Sequence, residues 1–180
     1  MKHKNTVTKL AFGGLFAAMI TVATILITIP TPTKGYINLG DSFVNIGAWL
    51  LGPAYGAAAA AIGSALADVI TGYTVYIPAT FVIKGLMALV SGLIFHRAVK
   101  AKKGRSALVP IAAAAAAELI MISGYTIFEA FVLGSWAAAL QGVFWYTVKS
   151  AANIAVSELL YVAVIRRIAP AVSEKLKAKV

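Results

Sequence analysis

Long apolar stretches alternate with short polar breaks along the whole 180-residue chain. Six apolar runs emerge, at residues 6–29, 41–51, 54–70, 78–95, 107–133 and 137–168. Most of them approach or exceed the roughly 20 residues that a helix needs to cross a bilayer. The run at 41–51 is short for a full crossing and is expected to begin inside the preceding loop. The breaks have plain causes. "IPTPTKGY" stops the first run with two prolines and a glycine, "GPAYG" predicts a tight turn, Pro78 suits a helix start, and "GSW" turns the chain before the last run. The pattern predicts an all-α integral membrane protein, a single membrane domain of six transmembrane helices. The start of the chain also has the basic-then-apolar outline of a signal peptide. Its apolar run is long for one and no small-x-small cleavage site follows, so a first transmembrane helix is expected.

Composition supports a membrane protein. The chain is 61% hydrophobic and 12% charged, against about half and a quarter in soluble domains. There is no cysteine, hence no disulfide or thiolate chemistry. The net charge of +10 raises the question of a nucleic-acid partner, which its distribution answers. Lys2, Lys4 and Lys9 precede the first run. Arg97, Lys100, Lys102, Lys103 and Arg105 fill one loop, and Arg166, Arg167, Lys175, Lys177 and Lys179 close the chain. With six spans these clusters share one side. That is the bias of cytoplasmic segments, so both termini are predicted to be cytoplasmic. Anionic lipid head groups would attract the same clusters. No aromatic side chain is interleaved with them, and no nucleic-acid partner is expected.

Candidate chemistry lies in the spans. Asp41, Asp68, Lys84, Glu118, Glu129, Lys149 and Glu158 fall within or at the edges of the runs. Ionisable side chains there are rare and often mark a substrate path. Counting depth at about 1.5 Å per residue places Lys84 level with Asp68 on the neighbouring helix, with Asp41 a second candidate partner. The same count pairs Glu118 with Lys149 near mid-membrane. Glu118, Tyr125 and Glu129 recur at helical spacing. Gln141, Trp145, Lys149 and Asn153 recur every four residues and form a second polar-aromatic stripe. Two such stripes would wall a small-molecule cavity. The expected substrate-binding residues are Asn38, Asp41, Asn45, Asp68, Tyr73, Tyr76, Lys84, Tyr125, Glu129, Trp145, Lys149 and Asn153. Every ion pair in the set has a bland alternative, helix registration. Glu158, near Arg166, is expected to be structural, and Trp49 and Trp136 to be interfacial anchors.

Catalysis finds little support. His3 and His96 sit at predicted cytoplasmic ends, away from the carboxylates, so no metal site is expected. There is no phosphate-binding P-loop and no G-x-S-x-G elbow.

The stretches "GYINLGD", "LLGPAYG", "IGSALAD" and "YIPATFVIKGL" together resemble the substrate-binding S component of energy-coupling factor (ECF) vitamin transporters. The resemblance runs over about residues 6–168 and is nearest the branch of pyridoxine and hydroxymethylpyrimidine carriers. It implies six helices, a pocket on the extracellular side and a lid formed by the loop after the first helix, with Gly35 and Gly40 as its flexible points. It implies no cofactor in this chain. ATP and magnesium would belong to two ATP-binding subunits, joined to it through a transmembrane coupling subunit. Docking in such proteins uses small residues on the first helix, matched here by Gly13, Gly14, Ala17 and Ala18. The implied role is capture of a water-soluble vitamin or precursor at the plasma membrane of a prokaryote, followed by rotation of the loaded subunit in the bilayer. Two other classes stay open on the residues alone. One is an autonomous secondary transporter or channel with the carboxylates as proton relay. The other is an intramembrane enzyme using Glu118 or Asp68.

Overall fold

The computed structural model describes residues 2–26, 29–30, 36–101 and 108–165, with side chains described for 7–26, 38–101 and 108–163. Six α-helices follow in order: α1 (Lys2–Leu26), α2 (Gly40–Leu51), α3 (Pro53–Thr71), α4 (Ile77–Lys100), α5 (Leu108–Leu133) and α6 (Trp136–Leu160). A 3₁₀ turn, Thr74–Tyr76, leads into α4, and a π turn, Tyr161–Ile165, continues α6. Between α1 and α2 lies a minimal antiparallel hairpin, β1 (Ile29–Pro30) with β2 (Tyr36–Ile37). The sequence predicts a helix to residue 29 here. The helix stops at Leu26, and Ile29 and Pro30 pair as extended chain with Tyr36 and Ile37 instead. The predicted end of the last run at 168 lies outside the described residues.

Local chemistry sets the boundaries. The turn expected over "GPAYG" contracts to Gly52 alone, whose φ of 88° belongs to the left-handed region. Pro53 already occupies the first turn of α3, where its missing N–H costs nothing. At the start of α6 the Ser135 hydroxyl accepts from the Ala138 N–H at 3.3 Å, an ordinary N-cap.

Among the described residues four helical segments are long and apolar enough to cross a membrane: Val7–Leu26, Pro53–Thr71, Thr74–Lys100 and Leu108–Leu133. The helix α2 is different. It has 12 residues, nine of them buried, and touches each of the other five helices. It is an internal element around which the rest are arranged. In lipid, association of this kind rests on close packing and hydrogen bonds between helices. Small residues allow it: Ala59, Ala60, Ala113, Ala114 and Ala117 are all buried. On α3, a Cβ at Gly63 would collide with the backbone of Ala17. That close approach lets the Thr21 hydroxyl of α1 donate to the Gly63 carbonyl at 2.7 Å.

Ala17 is therefore spent on packing within the chain, which corrects its expected place on a docking face. Gly14 and Ala18 are exposed and Gly13 is half-buried. A Cβ on either glycine would meet nothing within 4 Å. Trp49, expected at an interface, is 3% exposed. Its indole donates to the Ser91 hydroxyl at 2.9 Å and its ring stacks on Phe95. Trp136 is exposed as expected. Gly40, expected as a flexible point of the loop, opens α2 and is buried, and a Cβ there would strike the Thr24 side chain. Gly35 lies outside the described residues.

Candidate functional site

A cavity opens at the end of the bundle where α1 and α3 finish and α2 and α4 begin. The space between its walls, open mouth included, is about 490 Å³. Tyr73, Tyr76, Tyr125 and Tyr146 supply aromatic walls, and Asp68, Lys84 and Lys149 supply charge. Thr24, Asn38, Ser64 and Thr80 add polar groups.

The helix period explains who meets whom. Tyr76, Thr80 and Lys84 are spaced by four residues along the start of α4 and share one face. Ser64 and Asp68 stand in the same relation on α3. On α5, Tyr125 presents its hydroxyl to Thr80 Oγ1 at 3.0 Å. Its ring stacks on Tyr146 of α6, with centroids 5.9 Å apart and planes at 29°.

Beneath the cavity the two lysines converge on one carboxylate. Lys84 Nζ is hydrogen-bonded to Asp41 Oδ1, and Lys149 Nζ lies 3.0 Å from Asp41 Oδ2. All three residues are buried. Of the two candidate partners of Lys84, Asp41 is the one it pairs with, and Lys149 takes Asp41 in place of the expected Glu118. The first turn of α2, which carries Asp41, is buried and so lies level with both lysines. Glu118 is buried nearby and accepts instead from the Ser150 hydroxyl at 2.9 Å, one residue along from Lys149.

Asn153 is fully buried and does not line the cavity. Its Oδ1 accepts from the Ser42 backbone N–H at 3.0 Å and hydroxyl at 2.9 Å. Its Nδ2 donates to the carbonyls of Asn38 at 2.8 Å and Lys149 at 3.0 Å. The residue before α2, Leu39, offers no side-chain cap, so Asn153 caps α2 from another helix. Asn38 completes the job by accepting from the Gly40 N–H at 3.0 Å, and it also lines the cavity. Asn45 lies one turn deeper than Asp41 and accepts from the Ser91 hydroxyl at 2.8 Å. It belongs to the link between α2 and α4, away from the cavity lining. Glu129 is buried behind the wall and accepts from the hydroxyls of Tyr76 and Tyr146.

Trp145 is a further expected site residue that does not line the cavity. It is half-buried and meets Phe144 edge-on, outside the cavity lining. Each step of four residues overshoots a helical turn by about 40°. Gln141 and Trp145 therefore drift to one side of Lys149. Gly142, Tyr146, Ser150, Asn153 and Ser157, on the other side, form the buried face. Tyr146 takes the aromatic place that sequence reasoning gave to Trp145. An alternating three-and-four count from Asn153 would have found it. Thr80 and Ser64 were legible in the same way, four residues before Lys84 and Asp68. Thr24 carried no such signal.

The model of a family described as "ECF-type riboflavin transporter, S component" matches residues 4–168. Among solved structures, the fold resembles the S component of a bacterial ECF transporter, with a TM-score of 0.64 at 17% identity over 93% of this chain and 98% of the other. It also resembles the S component for biotin from an ECF-type ABC transporter, with a TM-score of 0.65 at 16% identity over 89% and 94%. A curated relative from Pyrococcus woesei, described as an uncharacterized protein in the gap 3' region, is 46% identical over 74 residues. That match covers 41% of this chain and 49% of the relative, about half its length. The matching family carries riboflavin in its description, where the sequence resemblance points to pyridoxine and hydroxymethylpyrimidine carriers.

Proposed function

The chain belongs to the family of ECF-type riboflavin transporter S components, and from that premise we propose that it is the capturing subunit of a vitamin importer. The cavity walled by four tyrosines, with Lys84, Lys149 and Asp68 at its surface, carries this reading. A planar heteroaromatic ring suits the tyrosine faces. Ring acceptors would meet the two ammonium groups, and ring donors would meet Asp68. With Asp41 shared between them, the lysines offer donors without presenting two uncompensated charges. The ligand is a heteroaromatic vitamin: riboflavin on the family's description, or a single-ring pyridoxine- or hydroxymethylpyrimidine-like compound on the sequence resemblance.

In this reading the chain spans the plasma membrane of a prokaryote six times, with α2 held inside the bundle and both termini cytoplasmic. The cavity faces outward, and the hairpin between α1 and α2 covers it. Gly14 and Ala18, with Gly13 beside them, meet the transmembrane coupling subunit. Two ATP-binding subunits hold ATP and magnesium and supply the energy by which the loaded chain turns in the bilayer. The test is uptake by proteoliposomes. ATP-dependent accumulation of labelled riboflavin, pyridoxine or hydroxymethylpyrimidine is expected only with the coupling subunit and both ATPases present. Proton-driven uptake by the chain alone would replace this reading with that of a secondary transporter.

A further inference from the structure

We propose that Glu129 is a positioning residue: through one carboxylate oxygen it holds the hydroxyls of Tyr76 and Tyr146 and so fixes the aromatic wall of the cavity. The proposal rests on the reading of the cavity as a ligand site and specifies how that site keeps its shape.

Glu129 is 1% exposed and does not line the cavity, so a ligand there would not touch it. Both tyrosines do line it. Glu129 Oε1 accepts from Tyr146 and, at 3.3 Å, from Tyr76. Among the described residues these are the hydrogen bonds that the two hydroxyls make. The tyrosines come from different elements. Tyr76 ends the 3₁₀ turn at the mouth, and Tyr146 stands on α6. One oxygen on α5 thus ties the mouth to the far wall. Between them, Tyr125 stacks on Tyr146 and its centroid lies 6.5 Å from that of Tyr76. Phe128, next to Glu129, packs edge-on against Tyr76 at 5.3 Å. Without the carboxylate, the buried phenol of Tyr146 and the half-buried one of Tyr76 lose their acceptor and turn toward the cavity or toward other groups. Charge is not what the arrangement needs, since a neutral amide oxygen could accept both bonds.

The experiment compares wild type with Glu129→Gln and Glu129→Met, and with Glu129→Ala should the Met variant not fold. The first readout needs no ligand: tetranitromethane nitration of each tyrosine in detergent, resolved by peptide mass spectrometry. Tyr76 and Tyr146 are expected to react slowly in wild type and Glu129→Gln and several-fold faster in the apolar variants. Tyr55, on α3, serves as the unchanged reference. The second readout is riboflavin affinity by flavin fluorescence. The apolar variants should lose about five- to hundredfold, the span for two net hydrogen bonds, and Glu129→Gln should recover most of it. Wild-type nitration in the apolar variants overturns the proposal. So does a Gln variant with wild-type nitration that binds as weakly as the apolar ones, because the charge would then act on the ligand itself. If wild type does not bind riboflavin, the flavin assignment falls and the nitration pattern alone decides the role of Glu129.

Discussion

Asp41 is the shared counter-ion of two buried lysines, so its loss should cost more than the loss of either lysine. In Asp41→Asn, Lys84 and Lys149, 4% and 5% exposed, both lose their ion-pair partner. Removing one member of a buried pair costs about 3–5 kcal/mol, and two orphaned ammonium groups put this variant at the upper end. In Lys84→Met, Asp41 keeps Lys149 at 3.0 Å. The loss is then one charge-assisted hydrogen bond, about 1.5–3 kcal/mol, less the repulsion relieved between the lysines. The sign of the coupling follows. Once Asp41 is neutral, Lys84→Met removes an uncompensated charge and should recover stability, giving a coupling energy of at least about 1 kcal/mol. Dodecyl sulfate titration of the chain in mixed micelles, followed by tryptophan fluorescence, measures all four members of the cycle. Additive losses, or a Lys84→Met variant less stable than Asp41→Asn, would refute the shared counter-ion.

The remaining expectations concern faces and caps. Tyr146→Leu should weaken ligand binding while Trp145→Leu leaves it unchanged, because only Tyr146 lines the cavity; calorimetry separates the two. Ala17→Leu should lower thermal stability by about 1–3 kcal/mol through overpacking against Gly63. Gly14→Leu, pointing into open space, should leave the fold intact and abolish co-purification with the coupling subunit. Asn153→Leu leaves the Ser42 N–H with the Leu39 carbonyl alone and orphans the Asn38 carbonyl, and should cost about 1–3 kcal/mol in the same titration. Single cysteines at positions 3, 102 and 177 should resist an impermeant thiol reagent applied from outside the cell; labelling at any of them would break the six-span topology.

The sequence carried most helices well, because α1, α2, α3 and α5 end at chemically loud positions: the prolines after Leu26, Gly52, Gly72 and Gly134. A buried charge is conspicuous in an apolar chain, and Asp68, Lys84 and Lys149, singled out for that reason, line the cavity. Partners were harder. Linear depth treats helices as parallel rods of equal length, whereas α2 is a short internal helix that brings Asp41 between two lysines from α4 and α6. Facing was harder still. A four-residue stripe looks straight in sequence but winds around the helix, and that drift exchanged Trp145 for Tyr146. The roles of Asn153 and Asn45 as staples depend on Ser42 and Ser91, contacts across sequence separations of 111 and 46 residues that no local pattern announces.

The central claim is that this cavity binds one heteroaromatic vitamin through its lysines and tyrosines. Native mass spectrometry tests it directly, on wild type and Lys84→Met released from detergent after exposure to equimolar riboflavin, pyridoxine and hydroxymethylpyrimidine. A single 1:1 adduct with wild type, lost or strongly reduced in folded Lys84→Met, is the expected result. No adduct with any of the three, or an undiminished adduct in Lys84→Met, would contradict it.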